Sequence, residues 1–138
     1  MTSTADAIDS NVVLYLLSGD GAKADRAEAL LQRKPVISVQ VLNEVTNVCR
    51  RKLGMDWQEI DGFLELVRSF CKVVPLTLDV HDCARALAQR HCLSFYDACI
   101  VAAALVAKCR ALYTEDMQHG LVVEESLVLR NPFIAGGE

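Results

Sequence analysis

The sequence predicts an α/β fold in which a central parallel sheet of about five short strands is covered by helices on both faces. Short apolar runs, among them Val36-Ile37-Ser38-Val39 and Ala111-Leu112-Tyr113, recur along the chain. They are largely apolar rather than alternating, the pattern of strands buried from both sides. Segments of helical periodicity separate them, and strands alternating with helices form parallel crossovers.

The first strand falls at Ala7 and Ile8 and breaks at Asp9-Ser10-Asn11, residue types that turn or cap. Val12 to Leu17 continue as a helix, which the run Gly19-Asp20-Gly21 is expected to end. A second helix runs from about Ala22 to Arg33 with Ala27, Leu30 and Leu31 inward, and Pro35 stops it. Val36 to Val39 form the second strand. Val41, Val45 and Val48 then mark a third helix that ends at Gly54. A fourth follows from Met55, with Ile60, Phe63, Leu64 and Val67 as its stripe, and Lys72 to Leu76 return as a strand. Asp79 is expected to cap a helix reaching about His91, and Ser94 opens another that runs to about Lys108. Ala111-Leu112-Tyr113 and Leu127-Val128-Leu129 complete the strands.

At 138 residues the chain is read as one domain, 1–138, without linker, repeat or low-complexity stretch. A 52% hydrophobic composition supports a core. The formal net charge of −4 argues against non-specific coating of nucleic acid, which needs clustered lysine and arginine. It does not exclude a nuclease, because Arg50, Arg51 and Lys52 form a local run that either meets a phosphate backbone or is a solvated helix end. The cysteines at 49, 71, 83, 92, 99 and 109 contain no C-x-x-C pair. No apolar stretch reaches the roughly 18 residues of a membrane span, and no leader pattern opens the chain, so a cytoplasmic location is expected.

Four carboxylates carry the functional signal. Ligands of open parallel sheets lie beyond the carboxyl ends of the strands, where Asp9 and Asp116 both fall. Each also has an ordinary reading as a turn or cap residue. Asp97 completes a Ser94-x-x-Asp97 capping pattern, yet it shares a stripe with Ile100, Val101 and Ala104, which faces it toward the protein. Glu44 lies mid-helix on the stripe of Val41, Val45 and Val48, with no lysine or arginine one turn away. It either reaches water at the rim or needs a partner. If the four acids converge, their repulsion is about 4 kcal/mol for a pair about 4 Å apart at an effective dielectric of 20. A divalent cation answers it, and all-oxygen ligation suits Mg2+ or Mn2+. Such an ion activates water against a phosphodiester. The three histidines, His81, His91 and His119, have no metal-like spacing.

The blocks AIDSNVVLYL, LNEV, SFYDACIVAAAL and LYTEDMQHG resemble, in order and spacing, the four acidic blocks of PIN-domain ribonucleases, in particular VapC-type toxins, and the closing NPF is similar to that group's ending. The resemblance covers nearly the whole chain. It implies a three-layer α/β/α sandwich, metal-dependent endonucleolytic cleavage of RNA, frequent homodimerisation and neutralisation by a cognate antitoxin that plugs the site. It assigns Asp9, Glu44, Asp97 and Asp116 as the four acids, with Asn11 and Thr114 as supporting polar groups. Ser10 stands where a threonine is common, and Glu115 directly precedes the fourth aspartate, leaving its own contribution open. A silent binding module on the same fold is the alternative. A phosphate-accepting receiver fits poorly, because no lysine follows a late strand and no second aspartate lies two residues after Asp9.

Overall fold

The computed structural model describes residues 5–134; the remaining ends of the expected domain, 1–4 and 135–138, lie outside the described residues. The chain forms β1 (Asp6–Ile8), α1 (Ser10–Leu14) with a 3-10 turn at Tyr15–Leu17, α2 (Gly21–Gln32), β2 (Val36–Ser38), α3 (Val39–Arg51), α4 (Trp57–Phe70) and β3 (Lys72–Val74). It continues through α5 (Leu78–His91), α6 (Phe95–Val106), β4 (Ala111–Tyr113), β5 (Val122–Val123) and β6 (Leu127–Arg130).

The strands make one sheet of order β3-β2-β1-β4-β6-β5, parallel except for the β5–β6 pair. Because β2 and β3 lie to one side of β1 and β4 to the other, the chain reverses direction beside β1. That reversal opens a crevice at the carboxyl ends of β1 and β4. The register Ile8↔Tyr113 brings the residues after both strands to the same level.

Helix α6 explains why the sheet is apolar on both faces. Ala98 to Ala104 are all buried, and the helix packs on β2, β4, α3 and α5. Small residues let it approach closely, and its burial removes roughly 25 cal/mol for each Å² of apolar surface taken from water. Ile8, Ile37, Leu112 and Leu129 fill the sheet interior beneath the helices. The architecture is the expected α/β/α arrangement.

Local details refine or correct the expectations. Gly19-Asp20-Gly21 separates the first two helices as expected and does one thing more, since the Asp20 carboxylate accepts the Lys23 N–H and caps α2. Thr77, not Asp79, caps α5, its hydroxyl accepting the Val80 N–H at 3.2 Å, while Asp79 lies in the first turn. The sheet has a sixth strand, β5, joined to β6 through Glu124 and Glu125, both at positive φ (50° and 61°). Gly54, at φ +63°, ends the α3 region as expected, in a conformation that favours glycine. Among the described residues no helix is long and apolar enough to cross a membrane.

Candidate active site

Asp9 follows β1, and the pairing of β1 with β4 decides what it meets. Its backbone N–H donates to the Tyr113 carbonyl at 3.0 Å, carrying the ladder one step past the strand. Thr114, wholly buried, is therefore its neighbour and donates its hydroxyl to Asp9 Oδ2 at 2.8 Å. Asn11 Nδ2 donates to the same oxygen at 3.3 Å, and the Ser10 N–H donates to Oδ1 at 2.6 Å. Asp9 does cap α1, but this cap is only 2% exposed and none of these donors is charged. Burial pushes its carboxyl from 3.8 up to about 6, against the Thr114 and Ser10 hydrogen bonds, and the charges of Glu44 and Asp97 push the same way.

Glu44, half-buried on α3, is tied to Asp9 through Ser10. The Ser10 hydroxyl donates to Glu44 Oε1 at 2.7 Å and lies 3.2 Å from Asp9 Oδ1, while Gln40 donates to Oε2 at 3.2 Å. Asp116 is exposed and tied to Asp9 through Asn11, whose amide donates to Asp116 Oδ2 at 2.9 Å. Asp97 sits half-buried in the first turn of α6. Ser94 Oγ accepts the Asp97 N–H at 3.4 Å, but the reciprocal half of the capping box is not formed, and the Asp97 carboxylate has no hydrogen-bond partner among the described residues. The four acids thus share one locality, three of them bridged by Ser10 and Asn11 and the fourth coupled to Asp9 by charge.

A family model described as PIN domain matches residues 7–122. The chain belongs to the PIN domain family. Solved structures similar to this PIN domain include a toxin-antitoxin complex from Klebsiella pneumoniae, 21% identical, covering 94% of this chain and 98% of that chain, with a TM-score of 0.69. VapC20 of Mycobacterium tuberculosis, described as a sarcin-ricin loop cleaving toxin, is 21% identical over 81% of this chain and 90% of its own, with a TM-score of 0.66. A DNA-bound VapBC from Salmonella typhimurium is 14% identical over 94% and 99%, with a TM-score of 0.70. At these identities the likeness is one of fold. No curated protein sequence matches significantly.

Of the remaining residues singled out in this PIN domain, Glu115 points its carboxylate away from the other acids. Lys23 Nζ donates to it at 2.6 Å and Tyr15 Oη at 2.5 Å. Burial would raise its pKa, but these two hydrogen bonds outweigh that and hold it below the usual carboxylate value. Its backbone N–H donates to Asn11 Oδ1 at 3.2 Å, so it orients Asn11 rather than joining the acids. Arg50, Arg51 and Lys52 are exposed at the far end of α3 from Ser38, about 10 Å from Glu44 at 1.5 Å per residue. The Arg50 guanidinium stacks over Trp57 and donates to the Met55 carbonyl at 3.2 Å, which gives it a structural task. His119 Nδ1 accepts the Asn131 N–H at 2.8 Å.

Sequence reading missed the bridging hydroxyl of Ser10 and the Lys23–Tyr15–Glu115 cluster. A small hydroxyl residue directly after a strand-end acid was the available signal for the first. Among the described residues no three His, Cys, Asp or Glu side chains stand as a ready-made metal cluster; neutral donors space the acids apart. The donor set nonetheless fits a hard divalent cation, being all oxygen and containing a buried carboxylate that lacks a cationic partner.

Proposed function

We propose that this PIN domain is a Mg2+- or Mn2+-dependent endoribonuclease, the VapC-type toxin of a toxin-antitoxin pair. The observation that carries the reading is Asp9, buried at a strand end with neutral donors only and coupled to Glu44, Asp97 and Asp116. The printed descriptions of similar folds, toxin-antitoxin complexes and an RNA-loop-cleaving toxin, support it.

In this reading Asp9, Glu44, Asp97 and Asp116 hold the ion, which when bound supplies an activated water and offsets phosphate charge. Thr114 and Ser10 lock both oxygens of Asp9, so the central ligand needs no reorganisation. Asn11, itself fixed by the Glu115 N–H, aims Asp116. Among the described residues no donor engages the Asp97 carboxylate, so its oxygens are open to the ion. The substrate is RNA, the partner a cognate antitoxin, the assembly a homodimer and the compartment the cytoplasm. Exposed Trp57 and Leu66 on α4 offer apolar surface for a protein partner.

Incubating the purified chain with structured RNA and Mn2+ is expected to give fragments that a chelator suppresses. Asp97→Asn is expected to fold normally and cut nothing, and undiminished cleavage by that variant overturns the reading. RNA binding without fragments in the wild type favours the silent binding module.

A further inference from the structure

Away from the acids, on the stretch of sheet formed by β4 and β6, lies a cavity of about 440 Å³ lined by Arg33, Arg110, Ala111, Tyr113, Val128 and Arg130. Among the described residues the lining holds three guanidiniums, two of them braced from behind by Asp6, in a chain whose formal charge is −4. The strand pairing explains part of the convergence: Ala111 pairs with Val128 and Tyr113 with Arg130, so Arg110 and Arg130 flank one strip of sheet, and Arg33 arrives from the C-cap of α2. Asp6, at the start of β1, accepts from Arg33 Nη2 and from Arg110 Nε, each at 3.1 Å. Each guanidinium carries five N–H groups, so these two bonds orient the arginines and leave further donors for the cavity.

The strip leads to the acids. The Arg130 carbonyl accepts the Thr114 N–H at 2.9 Å, and Thr114 holds Asp9. From Arg110 to Thr114 is about 13 Å of extended chain at ~3.3 Å per residue. A polyanion seated at the acids is repelled by them, so holding it requires positive charge within a few nucleotides. Arg50, Arg51 and Lys52, exposed at the far end of α3, are one source of such charge, and the arginine cavity is a second.

We propose that this arginine cavity binds phosphate groups of the RNA strand that continues from the acidic cleft. Guanidiniums engage phosphate bidentately and stay charged at all relevant pH. The proposal rests on the ribonuclease reading for its choice of polyanion, and its test does not depend on cleavage.

The experiment measures binding of a fluorescein-labelled single-stranded RNA to the full chain in chelator, by anisotropy across a salt series. The double variant Arg33→Gln/Arg130→Gln is expected to bind about tenfold more weakly, and its log–log salt slope to be smaller by about 1.4, which is ~0.7 for each of two lost phosphate contacts. Asp6→Asn, which releases two guanidiniums, is expected to bind more tightly. Arg33→Gln alone, at a half-exposed position, is expected to reduce the slope by ~0.7 and serves should the double variant fold poorly. Unchanged affinity and slope in the arginine variants overturns the proposal. So does loss of adenosine monophosphate binding in those variants with RNA binding intact, which assigns the cavity to a free nucleotide. A wild type that binds RNA through these arginines yet yields no fragments in Mn2+ leaves the cavity standing and removes the nuclease reading.

Discussion

The two ends of β1 treat a carboxylate in opposite ways. Asp6, at the start, accepts hydrogen bonds from two arginines, Arg33 and Arg110. Asp9, just past the end, is more deeply buried, and its carboxylate accepts, among the described residues, from Ser10, Thr114 and the Asn11 amide alone. The protein has guanidiniums to spend, and it places them at the end of the strand where the acid needs them less. A buried acid left without a counter-charge is a stability cost that folding alone does not explain. Its neighbours increase that cost, because Glu44 and Asp97 are both acidic and both push Asp9 toward protonation. The contrast teaches that the fold neutralises the acid at the start of the strand with arginines and holds the one past its end with neutral donors, the asymmetry on which the proposed metal-dependent reading rests.

Exchanging one oxygen for nitrogen at each end tests the contrast most severely. Asp9→Asn is expected to reduce Mn2+-dependent RNA cleavage by more than the roughly 10–100-fold that loss of an outer partner costs, whereas Asp6→Asn keeps cleavage of a short substrate. Equal loss in both would erase the distinction. Next in size is the response to metal: at a hundredfold excess over its Kd, Mn2+ is expected to stabilise the wild type by about 2.7 kcal/mol. Calorimetry with and without chelator measures it. Asp6→Asn retains this gain and Asp9→Asn loses it.

Without metal the ranking of the Asp9 variant reverses. The folded pKa of about 6 against 3.8 costs the ionised chain about 3 kcal/mol at pH 7, at 1.36 kcal/mol per unit. The folded state binds more protons than the unfolded one between those values, so stability in chelator falls as pH rises from about 4 to 6 and is flat above. Asp9→Asn removes that slope and is expected to gain roughly 1–2 kcal/mol at pH 7, less than the full cost because the new amide must face the Asn11 amide. Urea denaturation at both pH values checks the sign. The smallest effect belongs to the braced end: Asp6→Asn is expected to lower the melting temperature slightly, and high salt to shrink the difference, since both arginines are half-exposed.

How much of this was legible in sequence follows from the range of the interactions. Strands apolar on both faces and helices with a clear stripe announced the parallel sheet, and the positions of Asp9 and Asp116 after strands announced the crevice. Glu44 stood out because helical periodicity put it among valines. What escaped were contacts between residues far apart in the chain, such as Ser10 with Glu44 or Lys23 with Glu115, which the sheet order creates and no local pattern encodes. Strand β5 escaped for a different reason: its turn uses Glu124 and Glu125 in left-handed conformations that normally call for Asn or Gly. Thr77 escaped as the cap of α5 because Asp79, two residues on, is also a favoured capping type, and the Thr77 hydroxyl contact at 3.2 Å is what identifies the capping residue.

The sheet's two borders have a consequence for crowding in solution. On one side the two-residue β5 runs against its neighbour, and on the other β3 is three residues long, opens on Lys72 and is followed at once by Pro75. Neither margin offers a long row of free backbone groups on which a foreign strand could zip. Short margins of this kind disfavour fibre-like growth by strand addition at either rim.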